Sequence, residues 1–233
     1  MAKELDLIPS LRNDANLQAY YKLEDVNDDL GVNNLTNNNA ATFVAAKFNN
    51  GVSGGSTDAD KALTIASSLG YDGGAYAVSF WLRILTEPAT DTAFDIFEVV
   101  DSVTDTSLLL NYIDTAGTKT LAFARIRLNV AGDSDSHTVT LGTSVFHHIV
   151  LTYDGSTVKG YLDNVEVTSV ASTGNGSGTT TTVFVLLCGL NFGTGIGNTL
   201  GIIDDFALFD RNLTASEVNR IFTGGFIPRI MLI

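Results

Sequence analysis

The chain is expected to be all-β, a sandwich of two antiparallel sheets with a short C-terminal helix. Three observations predict this. Short apolar segments with period-two alternation recur along the chain, and Gly, Asn, Asp and Ser turns divide them, a pattern of sandwiches rather than of alternating βα units. A length of 233 residues with 45% hydrophobic content and three prolines suits one such domain. At ~25 cal/mol per Å² of buried apolar area its core needs no crosslink. Finally, Ile202 to Glu217 runs a strand carrying two adjacent acids straight into a capped helix.

In chain order, residues 1–16 are polar with one amphipathic stretch, Leu5 to Leu11, and read as an N-terminal arm. The domain proper is expected over 17–225. Strands are predicted at Leu17–Leu23, Thr42–Phe48, Ala62–Ile65, Tyr76–Ile84, Phe94–Val100 and Leu108–Ile113. They continue at Leu121–Leu128, Thr138–Leu141, His147–Tyr153, Val158–Leu162, Val165–Val170, Thr182–Cys188 and Gly201–Phe209. Asp154-Gly155 and Asp163-Asn164 are two-residue turns that tolerate positive φ, so residues 147–170 should form a three-strand meander. The apolar tail 226–233 lies beyond the helix and is expected to pack on its own domain or on a neighbouring subunit.

Strict alternation in the last strand places Ile202, Asp204, Phe206 and Leu208 on one face and Ile203, Asp205, Ala207 and Phe209 on the other. Thr214 and Glu217 have the spacing of a capping box, Leu213 and Val218 that of a hydrophobic staple, and Gly224 is placed to stop the helix.

A net charge of -13 with only thirteen Lys and Arg excludes a basic patch for nucleic acid or an anionic membrane and favours cations. No apolar run reaches the ~18 residues that span a bilayer. The opening Met1-Ala2-Lys3-Glu4 has no apolar signal core, so the protein is expected outside a cell or on a virion surface by a route other than a leader in this sequence. The single Cys188 lies in an apolar run and reads as a buried hydrophobe.

Four ordered stretches resemble the laminin G-like jelly roll of the concanavalin A-like lectin/glucanase superfamily. Leu17 to Asp25 is similar to its opening strand, and Val78-Ser79-Phe80-Trp81-Leu82-Arg83 to its central Trp strand. Phe146 to Gly155, with Tyr161-Leu162-Asp163-Asn164, resembles its Trp-His-His, Tyr-Asp-Gly and Tyr-Val-Asp-Gly hairpins, with Phe146 and Asn164 as departures. The fourth stretch is the acid-bearing last strand with its helix.

The resemblance implies a structural calcium held between the first loop and the last strand, with Asp25, Asp28 and Asp204 as candidate ligands. It also directs attention to a glucanase pattern, Glu-x-Asp-x-x-Glu. Here Ala93-Phe94-Asp95-Ile96-Phe97-Glu98 lacks the nucleophile, and strict alternation would turn Asp95 and Glu98 to opposite faces, so an enzyme is not expected. For glycan binding, Trp81 is a candidate platform, although a lone Trp is more often core, and Tyr71 and Asp72 are candidates in a polar loop. The loops between Asn27 and Asn39 offer a further rim.

Two functions follow. The first is a non-catalytic, lectin-like module binding glycans or a cell surface. The alternative is a structural subunit of a virion, as a decoration or fibre protein, or of an extracellular filament. That subunit would form a homo-oligomer through the arm and the tail.

Overall fold

The computed structural model describes residues 9–38, 40–53, 62–65, 67, 69, 74–101, 107–127, 130–172, 182–186, 197–198 and 201–224. Cys188, Tyr71, Asp72 and the tail 226–233 lie outside them. The chain opens with α1 (Pro9–Arg12), then β1 (Leu17–Tyr21), β2 (Thr36–Asn38), β3 (Thr42–Ala45), β4 (Asn50–Ser53) and β5 (Ala62–Ile65). Next come β6 (Tyr76–Ile84), β7 (Ala93–Asp101), β8 (Ser107–Thr115), β9 (Thr118–Arg127) and β10 (Val130–Thr138). The second half holds β11 (His147–Tyr153), β12 (Thr157–Leu162), β13 (Val165–Ala171), β14 (Thr182–Leu186), β15 (Gly197–Asn198), β16 (Gly201–Phe209) and α2 (Ala215–Phe222). No helix among the described residues is long and apolar enough to cross a membrane.

Among the described residues the strands form two eight-stranded sheets, as the sandwich prediction requires. The first runs β13-β12-β11-β6-β16-β4-β3, with β1 also paired to β16. The second runs β10-β9-β8-β7-β14-β5-β2, with β15 beside β7. Between them, alternate residues of β6 (Val78, Phe80, Leu82) meet Phe97, Leu110, Tyr112 and Phe123 of the second sheet in one buried cluster. Phe206 stacks on Phe80 at 5.6 Å and lies 6.0 Å from Phe97, so the last strand is fixed across both layers. Each such buried Phe contributes roughly 1.5–3 kcal/mol.

A second, smaller cluster covers the outer face of the first sheet. Leu11 of α1 and Leu213 and Val218 around α2 pack on Tyr20, Val150, Tyr161 and Phe209. Arg211 joins the two helices by bonding both Asp14 and Glu217. Residues 9–16 of the predicted arm therefore lie against the sandwich. The capping box is formed, with Glu217 N–H donating to Thr214 Oγ1 at 3.3 Å and Thr214 N–H to Glu217 Oε2 at 2.9 Å. Gly224 leaves the helix at φ +64°, and the meander turns have Asp163 and Asn164 at φ +49° and +69°, as their residue types predict.

Four local expectations change. The strand predicted over 42–48 ends at Ala45, because a reversal with Asn49 at φ +40° leads into β4, a strand that was not predicted. The polar stretch 130–138 is a full strand, paired with β9 from Asp133↔Arg125 to Thr138↔Thr120, because backbone ladder bonds ask nothing of its side chains. Alternation in β16 breaks at a bulge between Asp204 and Ala207, where Asp205 takes φ +51°. Ile203, Phe206 and Leu208 consequently share the inner face, while Ala207 and Phe209 join the outer cluster. A second bulge, between Asp95 and Phe97, sets Asp95 opposite Asn111 and Glu98 opposite Leu109, so the alternation expected to separate those two positions does not hold.

Candidate recognition site

The β1–β2 connection forms a polar cavity of about 480 Å³ between Lys22 and Gly31. Its frame is built around Asp28. That side chain is buried and accepts four backbone N–H groups: Tyr20 at 3.0 Å and Leu30 at 3.1 Å on Oδ1, Val32 at 3.3 Å and Asn33 at 3.1 Å on Oδ2. Leu23 at φ +59° and Gly31 at φ +79° allow the chain to wrap around it. Further bonds close the loop: Asp28 N–H to Asn34 Oδ1, Tyr21 O–H to Asn33 O, and Leu35 N–H to Val26 O. Arg12 pairs with Asp29, and Asp25 accepts the backbone and side-chain N–H groups of Asn27. Glu24, Asp25 and Asn27 remain exposed at the mouth.

The last strand reaches this loop through the β3–β4 turn. Asn49 Nδ2 donates to Glu24 at 2.8 Å, and the adjacent Phe48 N–H donates to Asp204 Oδ2 at 2.7 Å. Gly51 permits the close approach, since a Cβ there would lie 2.6 Å from Ile203 O and 3.2 Å from the Asp204 Cβ. Asp204 is fully buried, and its Oδ1 has no hydrogen-bond partner among the described residues. Burial pushes its carboxyl up to about 8, opposed by the Phe48 and Asp205 amides and reinforced by the negative charges of Asp205 and Glu24. Asp204 is thus held in its neutral form near pH 7.

The three predicted calcium ligands have three separate tasks. A carboxylate offers about four lone-pair sites, and Asp28 spends its four on amides. Asp25 orders Asn27 at the surface, and Asp204 lies under the β3–β4 turn. Among the described residues no three His, Cys, Asp or Glu side chains are gathered to hold an ion. As a joint calcium cage Asp25, Asp28 and Asp204 do not fit. The residue that brings the first loop's charge toward Asp204 is Glu24, and it is reached through Asn49, a contact across the chain with no local signature.

Trp81 is not an open sugar platform. Phe222 stacks on it at 5.8 Å and 21°, Phe48 meets it edge-on at 5.9 Å, and the Lys47 ammonium sits 4.2 Å from its ring centre. Its partner across the strands, His148, is buried with Nε2 2.9 Å from Ser79 Oγ. Burial pushes that imidazole down to about 4, which keeps it neutral, and the enclosed Ser–His pair has no route to substrate. His147 faces elsewhere, between Asp163 Oδ2 and Leu141 O, both at 2.7 Å, as two neighbouring residues of one strand must.

With this architecture in view, a family model described as laminin G-like, of the concanavalin A-like lectin/glucanase superfamily, matches residues 55–219. The chain belongs to this superfamily. Among curated protein sequences none matches it. Several solved structures share its fold. Domain 4 of AbnA, an extracellular arabinanase from Geobacillus stearothermophilus solved with arabinotriose, is 15% identical with a TM-score of 0.65, over 90% of this chain and 99% of that one. The binding domain of Paraclostridial Mosquitocidal Protein 1 is 14% identical with a TM-score of 0.66, over 89% of this chain and 52% of its own. A structure of botulinum neurotoxin type C, whose cell entry is described as dependent on two ganglioside molecules, is 14% identical with a TM-score of 0.68, over 91% and 53%. This chain therefore spans about half the length of the two toxin structures.

Proposed function

We propose that the chain is a non-catalytic recognition module that binds glycans or a glycan-bearing cell surface, acting outside a cell or on the surface of a virion. The observation that carries this reading is the β1–β2 cavity. Its backbone is fixed by Asp28, so the exposed carboxylates and amide of Glu24, Asp25 and Asn27 are pre-positioned, and hydroxyl-rich ligands meet acceptors and donors without a cost of loop ordering. Its relatives support the ligand class: one is solved with an arabinose oligomer and another is described as depending on gangliosides. Catalysis is disfavoured because Ala93 stands where a retaining glucanase needs its nucleophilic carboxylate.

A glycan array probed with the wild type and with the Asp25→Ala/Asn27→Ala double variant tests the reading. Binding to a defined glycan set is expected, weakened at least tenfold in the variant, or about 1.4 kcal/mol. An array without hits, or hits indifferent to the double variant, would overturn it.

A further inference from the structure

A second cavity, of about 210 Å³, lies on the outer face of the first sheet, between the β11–β13 meander and the segment that leads into α2. It shares no lining residue with the β1–β2 cavity. Its lining includes Tyr161, whose side chain is buried, and on the helix side Asn212 to Ala215. The polar groups are fixed from behind. Asp154 accepts Ser156 N–H and Thr157 N–H on Oδ1, both at 2.8 Å, while Leu213 N–H donates to Thr152 Oγ1 at 3.0 Å. Glu166 Oε2 accepts Lys159 Nζ at 3.0 Å and Tyr161 O–H at 3.1 Å.

These constraints leave a specific set of groups for a guest. Asp154 Oδ2 and Glu166 Oε1 are acceptors outside those bonds, and the Lys159 ammonium and the Asn212 carboxamide are donors. One cation against two carboxylates leaves the lining negative, which disfavours a phosphate or carboxylate guest. Burial and the neighbouring Glu166 push the Tyr161 phenol up to about 12, so it stays neutral and keeps its bond to Glu166. A volume of 210 Å³ is below the ~300 Å³ at which drug-sized pockets begin, enough for one ring.

We infer that this cavity is a second carbohydrate subsite, which takes a single neutral sugar ring hydrogen-bonded by Asp154, Lys159, Glu166 and Asn212. Because it is built from different elements, its occupancy is independent of the β1–β2 cavity. Two sites on one rigid sandwich would engage one branched or surface-bound glycan together, with an avidity neither site has alone.

Amide-resolved NMR titration of the whole chain with glucose, galactose, arabinose and N-acetylglucosamine, each added separately, tests the inference, with inorganic phosphate as the anionic control. At least one sugar should give saturable shifts at residues 154–161, 166 and 212–215, and phosphate none. Glu166→Gln and Asn212→Ala, both on the surface, should each weaken that titration at least fivefold while leaving the remaining spectrum unchanged. Asp25→Ala should leave it intact, so failure of the β1–β2 reading and failure of this one are separable. No saturable shift at these amides with any of the four sugars, or shifts unaltered in both variants, would overturn the inference.

Discussion

Two buried aspartates, one in the β1–β2 loop and one in the bulge of β16, meet the same cost in opposite ways. Asp28 is 3% exposed and Asp204 0%, so solvent does not separate them. What separates them is the supply of backbone donors. Asp28 collects four N–H groups from a loop that closes on it, whereas Asp204 has only the amides of Phe48 and, with less effect, Asp205, and faces the negative charges of Glu24 and Asp205. A carboxylate solvated by amides organises the backbone around its charge; one with too few amides to offset its burial keeps its proton. The first region is consequently a rigid frame for a surface site, and the second a neutral plug beneath the β3–β4 turn.

Removing the hub should have the largest effect. Asp28→Ala orphans four loop N–H groups at once and is expected to cost about 4 kcal/mol, at ~1 kcal/mol for each donor, with loss of glycan binding. Urea denaturation measures it. Asp28→Asn retains one strong acceptor oxygen and should cost roughly half as much. Equal costs for the two would mean that shape, rather than the number of acceptor sites, holds the loop.

The plug should respond in the opposite sense. Asp204 has a folded value of about 8 against 3.8 unfolded, so the folded state binds the extra proton between those values. Its contribution to stability is complete below about pH 4 and is lost as pH rises through 8. His148 is the counterweight. Its folded value of about 4 lies below 6.5, so its neutral form contributes fully above pH 6.5 and that contribution is lost as pH falls toward 4. The two slopes cancel between pH 4 and 6.5, and from 6.5 to 8 only the decline from Asp204 remains, at most ~1.4 kcal/mol per pH unit. Asp204→Asn should therefore raise stability by several kcal/mol at pH 7.5, at ~1.4 kcal/mol for each pH unit above about 4, and leave a melting curve that climbs from pH 4 to 6.5 and is flat above. A variant less stable than the wild type at pH 7.5 would show that the carboxylate, not the acid, is the native species.

The same pair of regions marks what was legible in the sequence. The sandwich, the meander turns and the capped helix were, because each depends on residues a few positions apart: Asp163-Asn164 at a turn, or Thr214 and Glu217 at a helix start. The faces of β16 were not. Its alternation looks regular, and only the bulge at Asp205 shows which carboxylate is enclosed. The strand at 130–138 was missed because its polar side chains carry no apolar period, and β4 because Asn50-Gly51-Val52-Ser53 carries a single large apolar residue. The candidate site was legible as an acidic loop but not as a frame. The ties that define it, Phe48 to Asp204 and Asn49 to Glu24, join positions 156 and 25 residues apart.

Calcium provides the smallest expected effect and the sharpest discrimination between the two regions. Were an ion shared by loop and last strand, with a Kd of about 10 μM, adding ~1 mM calcium to EDTA-treated protein would stabilise it by about 2.7 kcal/mol, or roughly 5–10 °C in a domain of this size. With Asp28 saturated and Asp204 protonated, the expected shift is under ~1 °C, measured by calorimetry near pH 7. A large shift in the wild type that disappears in Asp204→Asn would make Asp204 a ligand and end the distinction between hub and plug. A shift that survives Asp204→Asn and is lost in Asp25→Ala would instead place the ion at the mouth of the β1–β2 cavity, where exposed oxygens remain, and the two aspartates would keep the roles their amides assign them.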